Sequence, residues 1–235
     1  MKTISLSVLA TMMAGSLIAA DASPREIMTN AAVKLGGTTN YAWKAVVVVP
    51  EDAPFKPGPT DGKTEKDGFT CFSMTFFDNK MQVIAKGDKR AVTDQEGNWK
   101  SLAEIDKEEG PGRFIGMLAR NLKTPAKEAA ELAGYAKELK LEGDAYASDL
   151  TEAGAKALQS FGPASGDGAV AVSNAKGSVK FWLKDGALTK YEFKLKGSIK
   201  FGDNEFPNER TTTVEIKDVN ATKVEVPEAA KKKLE

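Results

Sequence analysis

The last third of the chain alternates apolar and polar residues over four short runs. The residues on the apolar side of these runs are Val179, Phe181, Leu183, Tyr191, Phe193, Leu195, Ile199, Phe201, Val214 and Ile216. The residues between them are mainly Lys, Glu and Thr. Alternation with a period of two buries one face and leaves the other in water, which is typical of antiparallel rather than parallel sheets. The pattern therefore predicts an antiparallel sheet with one apolar face.

Two further apolar runs predict strands nearer the N-terminus. In residues 41–49, the residues on one side are Tyr41, Trp43, Ala45, Val47 and Val49. In residues 68–77, those on one side are Phe72, Met74 and Phe76. Between them, residues 50–68 are rich in Pro, Gly and charge, which predicts a long loop. Turn sequences centred on Gly87, Gly97 and Gly186 separate the later short runs, and this spacing is typical of hairpins.

Helices are predicted at both ends of the sheet-forming sequence. Ser23-Pro24-Arg25-Glu26 combines a capping box with Pro at the first helical position, and Gly36-Gly37 follows as a stop signal. Near the C-terminus, Pro227 is predicted to begin a short helix. The strands and helices together predict an α+β fold.

The middle of the chain, residues 111–160, predicts a helical insertion. Phe114, Met117, Leu118 and Leu122 have the i, i+3, i+4, i+8 spacing of an amphipathic helix. A second helix is predicted to begin at Thr124-Pro125 and to carry Leu132, Ala136 and Leu139. A strand-like run follows, and a third helix is predicted from its cap at Thr151 to about Gln159.

One short repeat indicates that the sheet is curved. Residues 176–181, KGSVKF, return as residues 196–201, KGSIKF. Two copies do not make a solenoid. We interpret them as two hairpin strands that are each bent at a glycine, which favours a strongly curved sheet.

The first 22 residues have the pattern of a cleaved signal peptide. Lys2 precedes an uncharged stretch from Ile4 to Ala20, and Ala20-Asp21-Ala22 gives the small-x-small cleavage pattern. No second apolar stretch follows. We therefore expect residues 23–235 to form a single domain that is periplasmic or secreted and is not an integral membrane protein.

Composition excludes several function classes. Basic and acidic residues number 33 each, and this balance argues against nucleic acid as a partner. The chain has no His, which removes Ser-His-Asp triads and His-based metal sites. The single Cys, Cys71, lies in an apolar run with no Lys or Arg within four residues, so we expect a buried and unreactive thiol. Asp and Glu are plentiful, but their spacing singles out no pair for glycoside hydrolysis. We expect no catalytic residues, no metal and no cofactor.

The aromatic residues on the apolar faces leave two interpretations open. They could fill a core, or a curved sheet incompletely covered by helices could leave a cavity for an acyl chain. The cavity candidates are Trp43, Phe72, Met74, Phe76, Phe181, Tyr191, Phe193 and Phe201. The candidates for a helical lid over such a cavity are Phe114, Met117, Leu118 and Leu122.

The order of elements and the segment SVKFWLKDGALTKYEFKL (178–195) resemble the LolA/LppX-like superfamily of exported bacterial proteins. The segments GDKRAVTDQEGNWKSLAE (87–104) and GPGRFIGMLARNLK (110–123) are also similar to a group of exported bacterial proteins that implies no function. The superfamily resemblance implies a half-open antiparallel barrel, with helices covering the concave face as a lid. It also implies a lipid or lipoprotein as cargo.

Two hypotheses follow for the function. The protein could bind or carry an apolar ligand, a lipid or an acyl chain, in a half-barrel cavity under the helical lid. Alternatively, it could be a non-enzymatic structural or protein-interaction module of the cell envelope with a filled core.

Overall fold

The structure is a computed structural model that describes residues 22–53, 56–76, 79–108, 110–160, 171–201 and 204–235. The signal-peptide pattern therefore lies, except for Ala22, outside the described residues. The helices are α1 (Pro24–Gly36), α2 (Leu102–Ile105), α3 (Pro111–Asn121), α4 (Pro125–Tyr135), α5 (Glu152–Gln159) and α6 (Glu228–Lys232). The strands are β1 (Asn40–Val48), β2 (Thr60–Glu65), β3 (Thr70–Phe76), β4 (Asn79–Lys86), β5 (Lys89–Thr93), β6 (Trp99–Ser101), β7 (Lys140–Glu142), β8 (Ala145–Asp149), β9 (Ala171–Lys184), β10 (Ala187–Phe201) and β11 (Asn204–Lys217).

All eleven strands of the described residues form one antiparallel sheet that does not close on itself. The strand order is β6-β5-β4-β3-β2-β1-β11-β10-β9-β8-β7, so β6 and β7 are the edges. Strands β1 and β11 pair near the middle and join the N-terminal strands to the C-terminal ones. The predicted α+β class and the antiparallel sheet are confirmed.

The prediction of a long loop over residues 50–68 is wrong, because β2 lies within it. This strand, TDGKTE, has no apolar residue and therefore no hydrophobic signal. Its backbone pairs with β1 on one side and β3 on the other. Gly62 lies opposite Trp43, and a Cβ on Gly62 would stand 2.0 Å from the indole ring. Backbone hydrogen bonds hold this strand in the sheet, and the absence of a side chain on Gly62 leaves room for the ring of Trp43.

The repeated glycines lie where the long strands are irregular or closely packed. The β9–β10 pairing shifts register between Lys196 and Ser198, at Gly197. At Gly177, a Cβ would stand 2.7 Å from the carbonyl oxygen of Lys194, so a larger residue would collide with the neighbouring strand. The irregular pairing at Gly197 agrees with the predicted bend there, whereas the bend at Gly177 stays a prediction.

Helices α1, α3, α4 and α5 contribute to one hydrophobic cluster on one face of the sheet, which we call the main core. Its fully buried members include Met28 of α1, Leu132 of α4 and Phe181 of β9. Helix α6 lies on the opposite face, where a smaller second cluster contains Ile84, Ala91, Ala230 and Leu234. The ion pair of Lys233 Nζ with Glu104 Oε1, 2.6 Å apart, ties the chain after α6 to α2. This contact and the hydrogen bonds from Ser101 together lower the pKa of Glu104 to about 2.

Helix α4 ends one residue before Ala136, so the prediction that this helix extends over Ala136 and Leu139 is wrong. Ala136 is in extended backbone and forms a bridge with Leu150. The guanidinium of Arg25 donates hydrogen bonds to four carbonyl oxygens at this end, those of Ala133, Gly134, Ala136 and Lys137, at 2.5–3.1 Å. A cation on the carbonyls of a helix C-terminus stabilises it, and here the contact also fixes α4 against α1.

Candidate functional site

In the part of the chain that the structure describes, the segment that joins α3 to α4 lies between two cavities that border the main core. The smaller one, which we call the lid cavity, has a volume of about 430 Å³ and lies between α3, α5 and strands β10 and β11. The larger one, which we call the Arg90 cavity, has a volume of about 870 Å³ and extends from the end of α1 to strands β2–β5. Lys123, in the joining segment, lines both cavities.

Helix α3 has two apolar sides with different surroundings. Ile115 and Ala119 are buried in the main core. Gly116 allows α3 to approach α2, since a Cβ there would stand 2.8 Å from Ile105 Cγ2. The other side presents Met117 and Leu118, both partly buried, to the lid cavity. The helix is therefore anchored on one side and borders a cavity on the other.

The four predicted lid residues do not all share one environment. Phe114 is 37% exposed at the edge of the lid cavity, beside Met117 and Leu118. Leu122 follows the end of α3 in extended backbone and lines the Arg90 cavity instead. The i, i+8 spacing predicts Leu122 within the same helix. In the structure, α3 ends one residue earlier, at Asn121, and a second proline-initiated helix begins at Pro125.

The lining of the lid cavity includes a partly buried acid, Glu128. The hydroxyl of Tyr191 donates a hydrogen bond of 2.6 Å to Glu128 Oε2. Burial raises the pKa of Glu128 above its ordinary value, and the hydrogen bond from Tyr191 opposes this only in part. Burial also raises the pKa of Tyr191, and the neighbouring Glu128 carboxylate adds to the effect. Glu128 therefore binds a proton more readily than an exposed glutamate does.

A cation lies on the same lining. Arg210 Nη2 donates to the carbonyl oxygen of Leu158 at 2.9 Å, and Nη1 donates to Asn208 Oδ1 at 3.2 Å. Asn208 in turn donates to Gln159 Oε1 at 2.9 Å. Gln159 is only 1% exposed, so this polar chain fixes the end of α5 to β11. Burial lowers the pKa of Arg210, and the charge of Glu128 opposes the shift. No ion pair joins Arg210 to Glu128 among the described residues.

Three polar residues on the lining of the lid cavity, Glu128, Gln159 and Arg210, carried no recognisable signal in the sequence, and neither did Asn208, which is hydrogen-bonded to two of them. Each is a common surface residue type and forms part of no motif. Only the packing of α4 and α5 against β10 and β11 brings them together. Gln159 offered the one available indication of a polar site, because it is a polar residue one helical turn after the apolar Ala155.

Most of the predicted cavity residues belong to the main core, and two of them also border the lid cavity or the Arg90 cavity. Trp43, Phe181 and Tyr191 are buried in the main core. Phe72 packs edge-on against Trp43, with ring centroids 5.5 Å apart, and also borders the Arg90 cavity. Phe193 borders the lid cavity.

Met74 is partly buried against the main core. The side chains of Phe76 and Phe201 lie outside the part of the chain whose side chains the structure describes. The six candidates whose side chains are described therefore pack in or against the main core, which is filled around them.

Cys71 lies on the opposite face of the sheet, against the second cluster. Its side chain is partly rather than fully buried. Burial raises the pKa of the thiol, while the charges of Lys63 and Lys80 oppose the shift. Lys63 pairs with Cys71 across β2 and β3, a neighbour that sequence distance could not indicate.

The searched part of the chain, which excludes the residues that the structure does not describe, contains no group of three or more residues that could hold a metal ion. In the same part of the chain, no helix has both the length and the apolar character needed to cross a membrane.

No family model matches the chain, and no curated protein matches it in sequence. Three solved structures are similar in fold, each at 11% sequence identity. The lipoprotein LppX from Mycobacterium tuberculosis has a TM-score of 0.44 and covers 85% of this chain and 95% of its own. LprF from Mycobacterium bovis has a TM-score of 0.46, with coverages of 89% and 100%. A LolA superfamily protein from Nitrosomonas europaea has a TM-score of 0.35, with coverages of 87% and 96%.

Two of these names, LppX and LolA, are those of the superfamily that the sequence resembles. At this identity and these TM-scores, the similarity concerns the fold alone. Any ligand has to be inferred from the cavities of this chain.

Proposed function

We propose that the protein is exported and binds an apolar ligand, a lipid or an acyl chain, in the lid cavity beneath α3. The observation that carries this proposal is that α3 is anchored through Ile115 and Ala119 while its second apolar side borders a cavity of about 430 Å³. Met117 packs against neither hydrophobic cluster of the described residues. A ligand in the cavity would complete the burial of this side of the helix.

The size and lining of the cavity fit part of an acyl chain. Pockets for small ligands have volumes of roughly 300–1,000 Å³ and mostly apolar walls. Leu118, Leu158 and Phe193 supply such walls. Each buried methylene contributes about 0.8 kcal/mol, so a chain of about eight methylenes gains roughly 6 kcal/mol before the cost of association. Glu128 and Arg210 are placed to orient a polar end.

The proposal assigns no reaction to the protein. The chain has no His, and its single thiol lies on the opposite face of the sheet from the lid cavity. Binding without chemistry needs only apolar walls and a helix that can move aside. The segment before α3 contains Gly110, whose φ of 62° glycine adopts readily, followed by Pro111. These residues form the hinge of the proposed lid.

The direct experiment is mass spectrometry of protein purified from its native compartment without detergent, followed by titration of delipidated protein with a fluorescent fatty acid. We expect a bound lipid and saturable binding of the probe at one site. Leu158→Trp should fill the cavity and remove binding. Val33→Trp is the matched control, because Val33 is 66% exposed on α1. Equal probe binding by wild type and Leu158→Trp would contradict the lid cavity as the site.

The second candidate function is a structural or interaction module of the cell envelope. The burial of Trp43, Phe181 and Tyr191, at 5%, 0% and 0% exposure, favours it because the centre of the apolar face is filled without a ligand. This function predicts no lipid in the purified protein and no binding of the probe. Co-purification of a defined envelope protein, lost after changes on the outer face of the sheet, would support it.

A further inference from the structure

The Arg90 cavity contains a guanidinium group with one edge unused. Arg90 pairs with Ala85 in the β4–β5 hairpin, and its Nη1 donates to the carbonyl oxygens of Gly87 and Lys89, at 2.7 and 3.0 Å. Among the described residues, neither Nε nor Nη2 donates a hydrogen bond. No carboxylate of the described residues forms an ion pair with this arginine. Nε is moreover buried.

The unused edge is the one that recognises anions. Nε–H and Nη2–H of arginine point in parallel and bind two oxygens of a carboxylate or phosphate at once. Buried polar groups in folded proteins have partners with few exceptions, and an exception commonly marks the place of an ion or ligand. Burial lowers the pKa of Arg90, but an arginine stays protonated in proteins, so its charge is retained.

The charges around the Arg90 cavity are of both signs. The cations on the cavity lining are Lys66, Arg90, Arg120, Lys123 and Lys127, and the carboxylates are Glu65, Asp67 and Glu131. Arg120 is paired with Asp106, and Lys123 is paired with Glu131 at 2.5 Å. Lys66 and Lys127 form no ion pair within the described residues, and neither do Glu65 and Asp67, while the charge of Asp88 also acts on Arg90. The open edge of Arg90, rather than an excess of cations, therefore favours an anion here.

The same lining offers apolar surface. Tyr41 and Phe72 belong to the main core and border the cavity, and Leu122 borders it from the segment after α3. We infer that the Arg90 cavity binds the carboxylate or phosphate group of an anionic amphiphile, with the Nε–Nη2 edge of Arg90 on the anion and Tyr41, Phe72 and Leu122 against the alkyl part. This site is separate from the lid cavity and does not rest on the proposed function.

The test is calorimetric titration of the whole chain from residue 23 with decyl phosphate, inorganic phosphate and decanol, each below the concentration at which it aggregates. We expect decyl phosphate to bind at least tenfold more tightly than either of the other two. Arg90→Lys keeps the charge but loses the bidentate edge, and it should weaken decyl phosphate binding at least tenfold. Arg120→Lys is the matched control and should change it less than twofold, since Arg120 already has a carboxylate partner.

A second measurement follows binding on the wild type and uses a variant only to assign one signal. The chain has five arginines, so its Nε–Hε signals can be resolved by NMR and that of Arg90 assigned from the Arg90→Lys spectrum. We expect the Arg90 signal to shift on addition of decyl phosphate. An unmoved signal, or unchanged affinity in Arg90→Lys, would overturn the proposal. Equal affinity for inorganic phosphate and decyl phosphate would identify a site for free anions and would contradict an amphiphile as the ligand.

The Leu158→Trp variant separates this site from the lid cavity. It should lose the fatty-acid probe and keep decyl phosphate binding within twofold of the wild type. Loss of both ligands in Leu158→Trp would place decyl phosphate in the lid cavity and overturn the separate site. If the wild type binds decyl phosphate but not the fatty-acid probe, the lid cavity fails as a site and the Arg90 site is supported.

Discussion

The two sides of α3 allow the lid hypothesis to be tested on one helix. Ile115, at 6% exposure, faces the main core, whereas Met117 is partly buried and borders the lid cavity. Ile115→Ala removes packed atoms and leaves a space behind, which costs about 2–5 kcal/mol in the free energy of unfolding. Met117→Ala removes atoms that border an existing cavity. Complete burial of a methionine side chain is worth about 1.5–3 kcal/mol, and partial burial should reduce the cost to about 1 kcal/mol.

The assays are urea midpoints and titration with the fluorescent fatty acid. We expect Ile115→Ala to lower the midpoint strongly. Met117→Ala should lower it little and weaken the probe, because the ligand loses contacts that the protein does not need. Phe181→Ala is the control in the central sheet and should be costly, since Phe181 is fully buried. If Met117→Ala costs as much as Ile115→Ala and the wild type binds no probe, the lid hypothesis is wrong and the filled structural module stands.

Four further expectations concern other parts of the molecule. Burial raises the pKa of Glu128 above its ordinary value of 4.5. Between the unfolded and the folded pKa, the folded protein keeps a proton that the unfolded chain has lost, so stability falls as pH rises from the first value to the second. The urea midpoint of Glu128→Gln should not fall over this pH range. If the midpoints of the wild type and the variant change with pH in parallel, the raised pKa of Glu128 is wrong. Gly62→Ala should lower stability by about 1–3 kcal/mol, because the new Cβ meets the ring of Trp43, and an unchanged thermal midpoint would show that the ring yields. Cys71 should react slowly with a thiol reagent in the native protein and quickly in urea, since burial raises its pKa; equal rates would mean an exposed thiol. N-terminal sequencing of exported protein should begin at Ser23, and an intact N-terminus would refute cleavage.

The elements with a strong local signal were predicted well. The capping box at Ser23 and the cap at Thr151 begin α1 and α5 as expected, and the Asp185-Gly186 turn, with φ of 53° and 71°, joins β9 to β10. Strand β2 was missed because a polar strand between two others is held by backbone hydrogen bonds that leave no side-chain pattern. Helix α2 was missed because a helix of four residues has almost no periodicity, although Ser101 and Glu104 form a capping box.

The sequence by itself determined the class of this protein, because the period of two in residues 178–201 dictates which face of each strand is apolar wherever the strand lies. It also excluded His-dependent chemistry, since no fold can supply a missing side chain. The tertiary structure alone decided which apolar side chains are core and which border a cavity. Tyr191 and Phe193 have the same alternating pattern and are both buried in the main core, yet of these two only Phe193 also borders the lid cavity. The difference depends on what the helices cover, and residues far apart in the chain, such as Arg210 and Leu158, meet only after the helices have packed.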